Sequence, residues 1–397
     1  MWRGLHVHRA LLPPMSTLFI NGKYLAQAVT GVQRFASQIL EAADAQLADG
    51  IWRSERQLVL LAPSTRVQTL PRFRHIEIRE IASGNLHVWE QIHMPMATRG
   101  STLLNLAGSA PLLKLGQICT FHDTAVFDFP AAYSKAFSRW YRFLFAVQGR
   151  LSHRLLTVSQ FSKDRLCQHL GIRPEKVGVV PNGASHIDQV QRDDAVLQRF
   201  GLQGGSYLLA VGSDNPSKNF PALLTAFTAL KGANARLVVV GGGNGAVFSD
   251  SAFRSPASED PRIVRTGRLS DAELKALYTQ ARAFVFPSLY EGFGIPPLEA
   301  MASGCPVLAA HAASIPEVCG DAVGYFDPRD PASITAVLKR AIDDDAWLAG
   351  LRIAGRAHVA NFTWNAAAEA LLEELASVGV ARTSTTSKEI RHQRATQ

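Results

Sequence analysis

Short apolar runs, each closed off by glycine, proline or polar residues, recur along the first half of the chain at 16–22, 58–62, 76–81, 102–106, 117–121, 155–159 and 176–180. Runs this brief read as strands rather than helices, buried on both faces where no polar residue alternates. Between them the period of the pattern lengthens. After Thr30 and Gly31, the residues Val32, Phe35, Ile39 and Ala43 recur at helical intervals and predict a helix opened by that glycine. A second helical stretch covers 133–153, and a serine-capped helix is expected over 163–170.

The alternation resumes after residue 206. Strands are expected at 207–211, 236–240, 283–286, 306–310 and 322–326, with helices at 220–230, after Ser270 with Glu273 in a capping box, and from Pro331 and Trp364. Strands alternating with helices predict an α/β protein with doubly wound parallel sheets. A polar interval at 186–205, ending in Gly204 and Gly205, reads as a linker between two units, 16–185 and 206–380. Residues 1–15 read as a leader and 381–397 as a polar tail, with Met15 an alternative start to Met1. No internal repeat is present.

The chemistry concentrates in 283–304. A buried strand ends at Pro287, a loop runs through Glu291, Gly292, Phe293 and Gly294, and Pro296 and Pro297 stand where a helix would begin, with Gly304 at its end. A glycine loop feeding a helix start aims free N–H groups and the positive end of the helix dipole at one spot, which suits an anion. Glu291 and Glu299 repel phosphate but accept hydrogen bonds from neutral hydroxyls, so the stretch fits a nucleotide sugar. A plain strand-to-helix turn with two solvated glutamates is the other reading.

Other candidates fall at strand ends, where open α/β sheets place their ligands. His122 and Asp123 follow the 117–121 strand, where the placement favours a functional role, with metal ligation or a histidine satisfied within the fold as the other readings. No further ligand at metal spacing accompanies them. Lys218 follows the 207–212 segment and is placed to neutralise phosphate. Gly241, Gly243 and Ala246 match a dinucleotide fingerprint, but a Ser/Asp loop rather than a good helix follows, which weakens a nicotinamide role.

Composition narrows the classes. The chain is 47% hydrophobic over 397 residues, enough for two cores, yet its longest apolar runs fall far short of a membrane span. The charged N-terminus does not resemble an export signal, so the cytoplasm is expected. Cys119, Cys167, Cys305 and Cys319 lack paired spacing and read as reduced thiols. Net charge is +8, and residues 1–190 hold 21 Lys+Arg against 12 Asp+Glu. That basic half suggests an acidic partner. The 133–153 helix sets Phe137, Trp140, Leu144, Val147 and Leu151 on one face and Lys135, Arg139 and Arg142 on another, which suits core packing and also an anionic membrane surface.

The string running from Glu291 through Gly294, Leu298 to Ala302, Gly304 and Pro306 to Val307 resembles the signature of retaining glycosyltransferases of family 4, which includes sucrose synthase and many bacterial mannosyltransferases. The segments 157–162 and 180–183 resemble further signatures of the same family. The resemblance covers most of the chain and implies two Rossmann-like domains facing a cleft, the GT-B arrangement, with no metal or cofactor and a nucleoside diphosphate sugar as donor substrate.

By the same resemblance, Gly31 lets the backbone approach the diphosphate, and His122 contacts the transferred sugar. Glu291 takes that sugar's hydroxyls and Glu299 the ribose. Gly292, Phe293 and Gly294 seat the phosphates, and the Gly267–Arg268 turn meets the base. Ser213 stands where the family usually carries an arginine, which leaves Lys218 as the main cation. The catalytic set is then His122, Glu291 and Lys218. Expected partners are the donor, a glycan or lipid-linked acceptor and an anionic inner membrane face met by Lys135, Arg139, Trp140 and Arg142, with no nucleic acid. A nucleotide-sugar epimerase of similar fold and a non-catalytic nucleotide-sugar-binding protein are the alternatives.

Overall fold

A computed structural model describes residues 17–231, 235–241 and 260–383. Its strands in chain order are β1 Leu18–Asn21, β2 Trp52–Ser54, β3 Leu58–Pro63, β4 Glu77–Ile81, β5 Thr102–Asn105, β6 Gln117–Thr120, β7 Arg154–Thr157 and β8 Val177–Val179. They continue with β9 Tyr207–Val211, β10 Arg236–Val240, β11 Ile263–Gly267, β12 Ala283–Phe286, β13 Val307–Ala310, β14 Gly324–Phe326 and β15 Ala381–Thr383. The helices used below are α1 Gly31–Ala48, α2 Lys135–Leu151, α3 Gln160–Leu170, α4 Asp271–Gln280, α5 Ile295–Ala302 and α6 Trp364–Ser377.

The strands form one sheet per unit, with orders β4-β3-β1-β5-β6-β7-β8 and β11-β10-β9-β12-β13-β14. Every pair in both is parallel. This explains the unbroken apolar runs. Val59, Leu208, Val238, Phe284 and Leu308 are fully enclosed because helices cover both faces. The strand order reverses between β1 and β5 in the first sheet and between β9 and β12 in the second, so a crevice opens beyond the carboxyl ends of those strands.

Several expectations are revised. The interval 186–205 folds into short helices, His186–Gln189 and Ala195–Arg199, with His186, Ile187 and Val196 buried. Its apolar residues are too sparse to show a period, yet Ile187, Val196 and Leu202 are inserted into the core. Helix α3 begins earlier than expected, because Ser159, not Ser162, is the cap: the Ser159 hydroxyl accepts from Ser162 N at 3.0 Å.

The chain end also behaves differently. Helix α6 lies against α1, Glu374 pairs with Arg154 at 2.5 Å, and β15 pairs antiparallel with β2, so the last segment returns to the first unit. Of α2, Leu144 and Phe145 face the core, whereas Trp140 is 47% exposed and Leu151 is also exposed. The expected leader 1–15, the tail beyond Thr383 and the fingerprint residues Gly243 and Ala246 lie outside the described residues.

Candidate functional site

The loops after β1, β6, β9 and β12 meet around a cavity of about 270 Å³ between the two units. It gathers Gly31, His122, Lys218, Glu291, Gly292, Phe293 and Gly294, seven of the residues singled out from sequence. Each is delivered by a strand end or a helix start. Gly31 is the first residue of α1, and a Cβ there would meet only the Ile295 side chain at 3.7 Å, so the glycine leaves room on the cavity wall rather than relieving backbone strain. Gly294 precedes α5 at φ 108°, a conformation that favours glycine.

The loop between them is anchored through its carbonyls. Ser159 and Ser162 of the first unit both donate to Gly292 O, at 2.6 and 3.1 Å. Ser314 donates to Glu291 O at 2.9 Å and to Phe293 O at 3.1 Å. The N–H groups of Gly292, Phe293 and Gly294 donate to no acceptor among the described residues. Buried amides left this way at a helix start are what an anion seat requires. Lys218 Nζ sits beside them, 2.6 Å from Glu291 Oε1. Asn182, buried and lining the same cavity, has no partner for its side-chain Oδ1 among the described residues.

His122 Nε2 bonds to Leu106 O at 2.8 Å, and its ring meets Phe35 edge-on at 4.9 Å. Burial drives its pKa down to about 4, the bond to Leu106 only partly opposing that, so the ring is neutral near pH 7. With Nε2–H donating to a carbonyl, Nδ1 is the acceptor. Asp123, which the sequence placed beside His122 at the strand end, lines the cavity too. Its Oδ1 accepts from Ala125 N at 2.8 Å, and burial raises its carboxyl pKa.

Glu299 does not line this cavity. It is 7% exposed on α5, where Oε1 accepts from His186 Nε2 at 2.9 Å and Oε2 from the Tyr278 hydroxyl at 3.4 Å. Arg34 of α1 lies 4.0 Å from Glu299 Oε1 and makes a two-pronged bond to Asp271 of α4, at 2.9 and 2.7 Å. Ser213, Gly267 and Arg268 stand at the ends of β9 and β11 on the same side but outside the cavity lining, with Gly267 and Arg268 exposed. Gly241 needs its lack of a side chain for another reason than a dinucleotide: a Cβ there would collide with Gly212 O.

A second cavity, about 410 Å³, adjoins the first inside the amino-terminal unit, and the two share Thr30, Val32, His122 and Asp123. One wall is apolar, with Phe121, Phe137 and Phe145, and the other presents Gln27, Gln33 and Ser109. Lys23 on this wall is paired with Glu90 at 2.7 Å. The expected basic face of α2 is only partly present. Lys135 and Arg139 are exposed, but Arg142 donates to Val126 O at 2.8 Å and lies over the Phe127 ring, so it serves packing rather than the surface.

The two units touch at further points. Tyr290 OH lies 2.7 Å from Asp128 Oδ2 and 2.8 Å from the Thr124 hydroxyl, and Asp128 also binds Arg165 and His169. Burial raises the Asp128 carboxyl, but these bonds outweigh it and hold it below the ordinary carboxylate range. Glu317 accepts from Gln160 N and Phe161 N at 2.7 and 2.8 Å, closing the start of α3. Asn182 was legible in its Pro-Asn-Gly setting. Arg34, Asp271, His186 and Trp364 carried no pattern to mark them, because their partners are remote in sequence.

Residues 41–186 match the sequence profile of Glycosyltransferase Family 4, and residues 197–358 match that of glycosyl transferases group 1. The O-antigen chain mannosyltransferase B of Escherichia coli is 32% identical over 257 residues, 62% of this chain and 66% of that protein. The O-antigen chain mannosyltransferase RfbU of Salmonella typhimurium is 30% identical over 229 residues, 58% of this chain and 61% of that protein. The chain thus matches just under two thirds of the length of these relatives. Sucrose-phosphate synthase from Thermosynechococcus elongatus has the same GT-B fold, with a TM-score of 0.70 at 18% identity, over 91% of this chain and 99% of that one.

Proposed function

This chain belongs to the family 4 glycosyltransferases, and from that membership we propose that it moves a hexose, mannose or a near relative, from a nucleoside diphosphate to a hydroxyl acceptor with retention of the anomeric bond. The observation that carries the reading is the run of unpartnered amides from Gly292 to Gly294 beside Lys218, opposite Gly31. The departing diphosphate gains charge as the bond breaks, and donors already fixed in a buried pocket stabilise that charge without reorganising. Lys218 and the three amides take this role. Glu291 accepts from hydroxyls of the transferred sugar and Glu299 from the ribose. The leaving phosphate itself serves as the base for the incoming hydroxyl, with no metal and no cofactor.

His122, neutral and fixed by Leu106, faces both cavities and lies against the sugar. The larger cavity takes the acceptor. Its apolar wall and neutral hydrogen-bonding wall suit a saccharide, whose ring carries C–H faces and peripheral hydroxyls. A saccharide acceptor fits a role in polysaccharide or glycolipid assembly, a reading supported by the two relatives that are O-antigen chain mannosyltransferases.

Around the outside of that cavity the surface is apolar. Val88, Ile92 and Met96 are exposed at helical spacing, Leu113 and Leu115 are exposed on the next loop, and Trp140 and Phe143 on α2. Gln91 bonds to Ala110 O and Leu112 N, and Gln148 to Pro111 O, so the loop is tied between the two helices. With Lys135 and Arg139 alongside, this surface docks on an anionic bilayer at its cytoplasmic side, where a lipid-linked acceptor resides. Among the described residues no helix is long and apolar enough to cross it.

The test of the reaction is incubation with radiolabelled UDP-, GDP-, ADP- and dTDP-hexoses and a lipid extract bearing glycan acceptors. Transfer of label to the acceptor with the α-linkage of the donor supports the reading. Interconverted donor sugar without transfer would identify an epimerase, and binding without turnover a carrier.

A further inference from the structure

Glu299 is gripped by residues outside the proposed donor cavity. His186 Nε2 lies 2.9 Å from Glu299 Oε1, and on the other side of the imidazole Trp364 Nε1 donates to His186 Nδ1 at 3.1 Å. An indole N–H can only donate, so Nδ1 of His186 must accept and Nε2 must carry the proton. The arrangement admits one neutral tautomer, and that tautomer points its single N–H at the glutamate. The three side chains are all buried, at 7% exposure for Glu299 and His186 and 4% for Trp364.

The backbone holds the two donors in register. Trp364 N donates to Ser185 Oγ at 3.1 Å, and Ala184 N to Phe362 O at 2.8 Å. A Cβ on Gly183 would run into the Trp364 backbone, so this glycine lets residues 183–186 and 362–364 lie side by side. The indole also meets Phe35 at 6.3 Å, edge to face, and Phe35 meets His122 at 4.9 Å. Contacts therefore run without a break from the residue assigned to the sugar to the residue assigned to the ribose.

We propose that Trp364 and His186 are positioning residues: the indole anchors the His186 ring through Nδ1, so that its Nε2–H fixes the Glu299 carboxylate in the orientation that accepts from both ribose hydroxyls at once. The proposal rests on the donor reading above. A carboxylate held by one charge-assisted bond in a buried site keeps its orientation, and bidentate acceptance depends on that orientation.

The test has two independent arms. Nitrogen-15 NMR of the imidazole in the nucleotide-free protein should show His186 as a single Nε2–H tautomer whose Nδ1 accepts a hydrogen bond, and a clearly shifted Nδ1 resonance in Trp364→Phe, which keeps an aromatic ring but loses the donor. Calorimetry with UDP, GDP, ADP and dTDP finds the preferred base, and the best ligand is then compared with its 2′,3′-dideoxy analogue. Wild type should prefer the ribose form by about tenfold. Trp364→Phe and His186→Ala should lose most of that preference while binding the dideoxy form as wild type does, and His186→Gln, which retains an N–H donor, should recover part of it. A preference unchanged in Trp364→Phe, or a His186 Nδ1 resonance indifferent to that substitution, overturns the proposal. Absence of nucleotide binding by wild type overturns the donor reading and this inference with it, even where the tautomer result stands.

Discussion

Lys218 Nζ and Glu291 Oε1 lie 2.6 Å apart although 73 residues separate them in the chain. The ion pair joins the loop after β9 to the loop after β12, the two strands that flank the reversal of strand order in the second sheet. In the proposed reaction this pair divides, the ammonium turning to the diphosphate and the carboxylate to the sugar. Lys218→Ala should therefore lower kcat by about 100-fold or more, as loss of a charge-stabilising donor does elsewhere. Steady-state kinetics check it. A loss below about threefold would mean that Lys218 only partners Glu291.

Glu291→Ala and Glu299→Ala should separate in kinetics. Ribose contacts are equal in ground and transition states, so Glu299→Ala raises the donor KM with kcat nearly kept, whereas Glu291→Ala lowers kcat. Equal and small effects from both would return the two carboxylates to a structural role.

His122 links activity and stability to pH. Its pKa falls from an ordinary 6.5 to about 4 in the folded protein. The unfolded chain thus binds the extra proton first, and stability present above pH 6.5 is lost as pH falls towards 4, by up to about 3 kcal/mol. Thermal melts of wild type and His122→Phe across that range should converge at low pH, because the variant lacks this loss. The rate profile should show no ionisation of this residue near pH 6.5. Parallel melting curves would refute the assignment.

Chelation should leave turnover intact. The proposed leaving-group chemistry uses Lys218 and the Gly292–Gly294 amides, and no Asp-x-Asp motif stands near a strand end. Assays with EDTA, with and without added Mg or Mn, decide it: abolition by the chelator and recovery with metal would require a different mechanism.

Membrane docking is tested by co-sedimentation with neutral and anionic vesicles at low and high salt. Each cation near such a surface contributes about 1 kcal/mol, and the attraction falls off within a Debye length. Lys135→Glu with Arg139→Glu should release the protein from anionic vesicles, and Trp140→Ser should weaken binding at both salt levels. Arg142 is left out of the set because Val126 and Phe127 occupy it. Sedimentation unaffected by any of these changes, or none by wild type, would place the acceptor in solution.

The comparison with sequence follows a physical division. Features set by neighbours in the chain were legible: the buried run at 283–286, the glycine at 294 with prolines behind it, and the capping box at Ser270 and Glu273 all occur where the pattern placed them. Features set by distant partners were not. Ser159 and Ser162 are both candidate caps for the same helix start, and neither the local pattern nor composition announces that both hydroxyls also donate to the remote Gly292 O. Arg142 looks like its neighbour Arg139 in a helical projection, yet one is taken up by a carbonyl 16 residues away. His186 sits in a polar interval that reads as linker, and nothing local announces that Trp364, 178 residues on, will anchor its ring.

The pairing of Ala381–Thr383 with Trp52–Ser54 has a consequence for how the protein is made. A ribosome that has released the whole first unit still holds the strand and helix that complete it. Until residues near 383 emerge, Trp52 lacks its partner strand and the side of α1 that receives α6 stays uncovered. The amino-terminal unit, though first to be synthesised, is therefore last to be finished, and a nascent chain halted before α6 exposes an apolar seam that chaperones would be expected to hold.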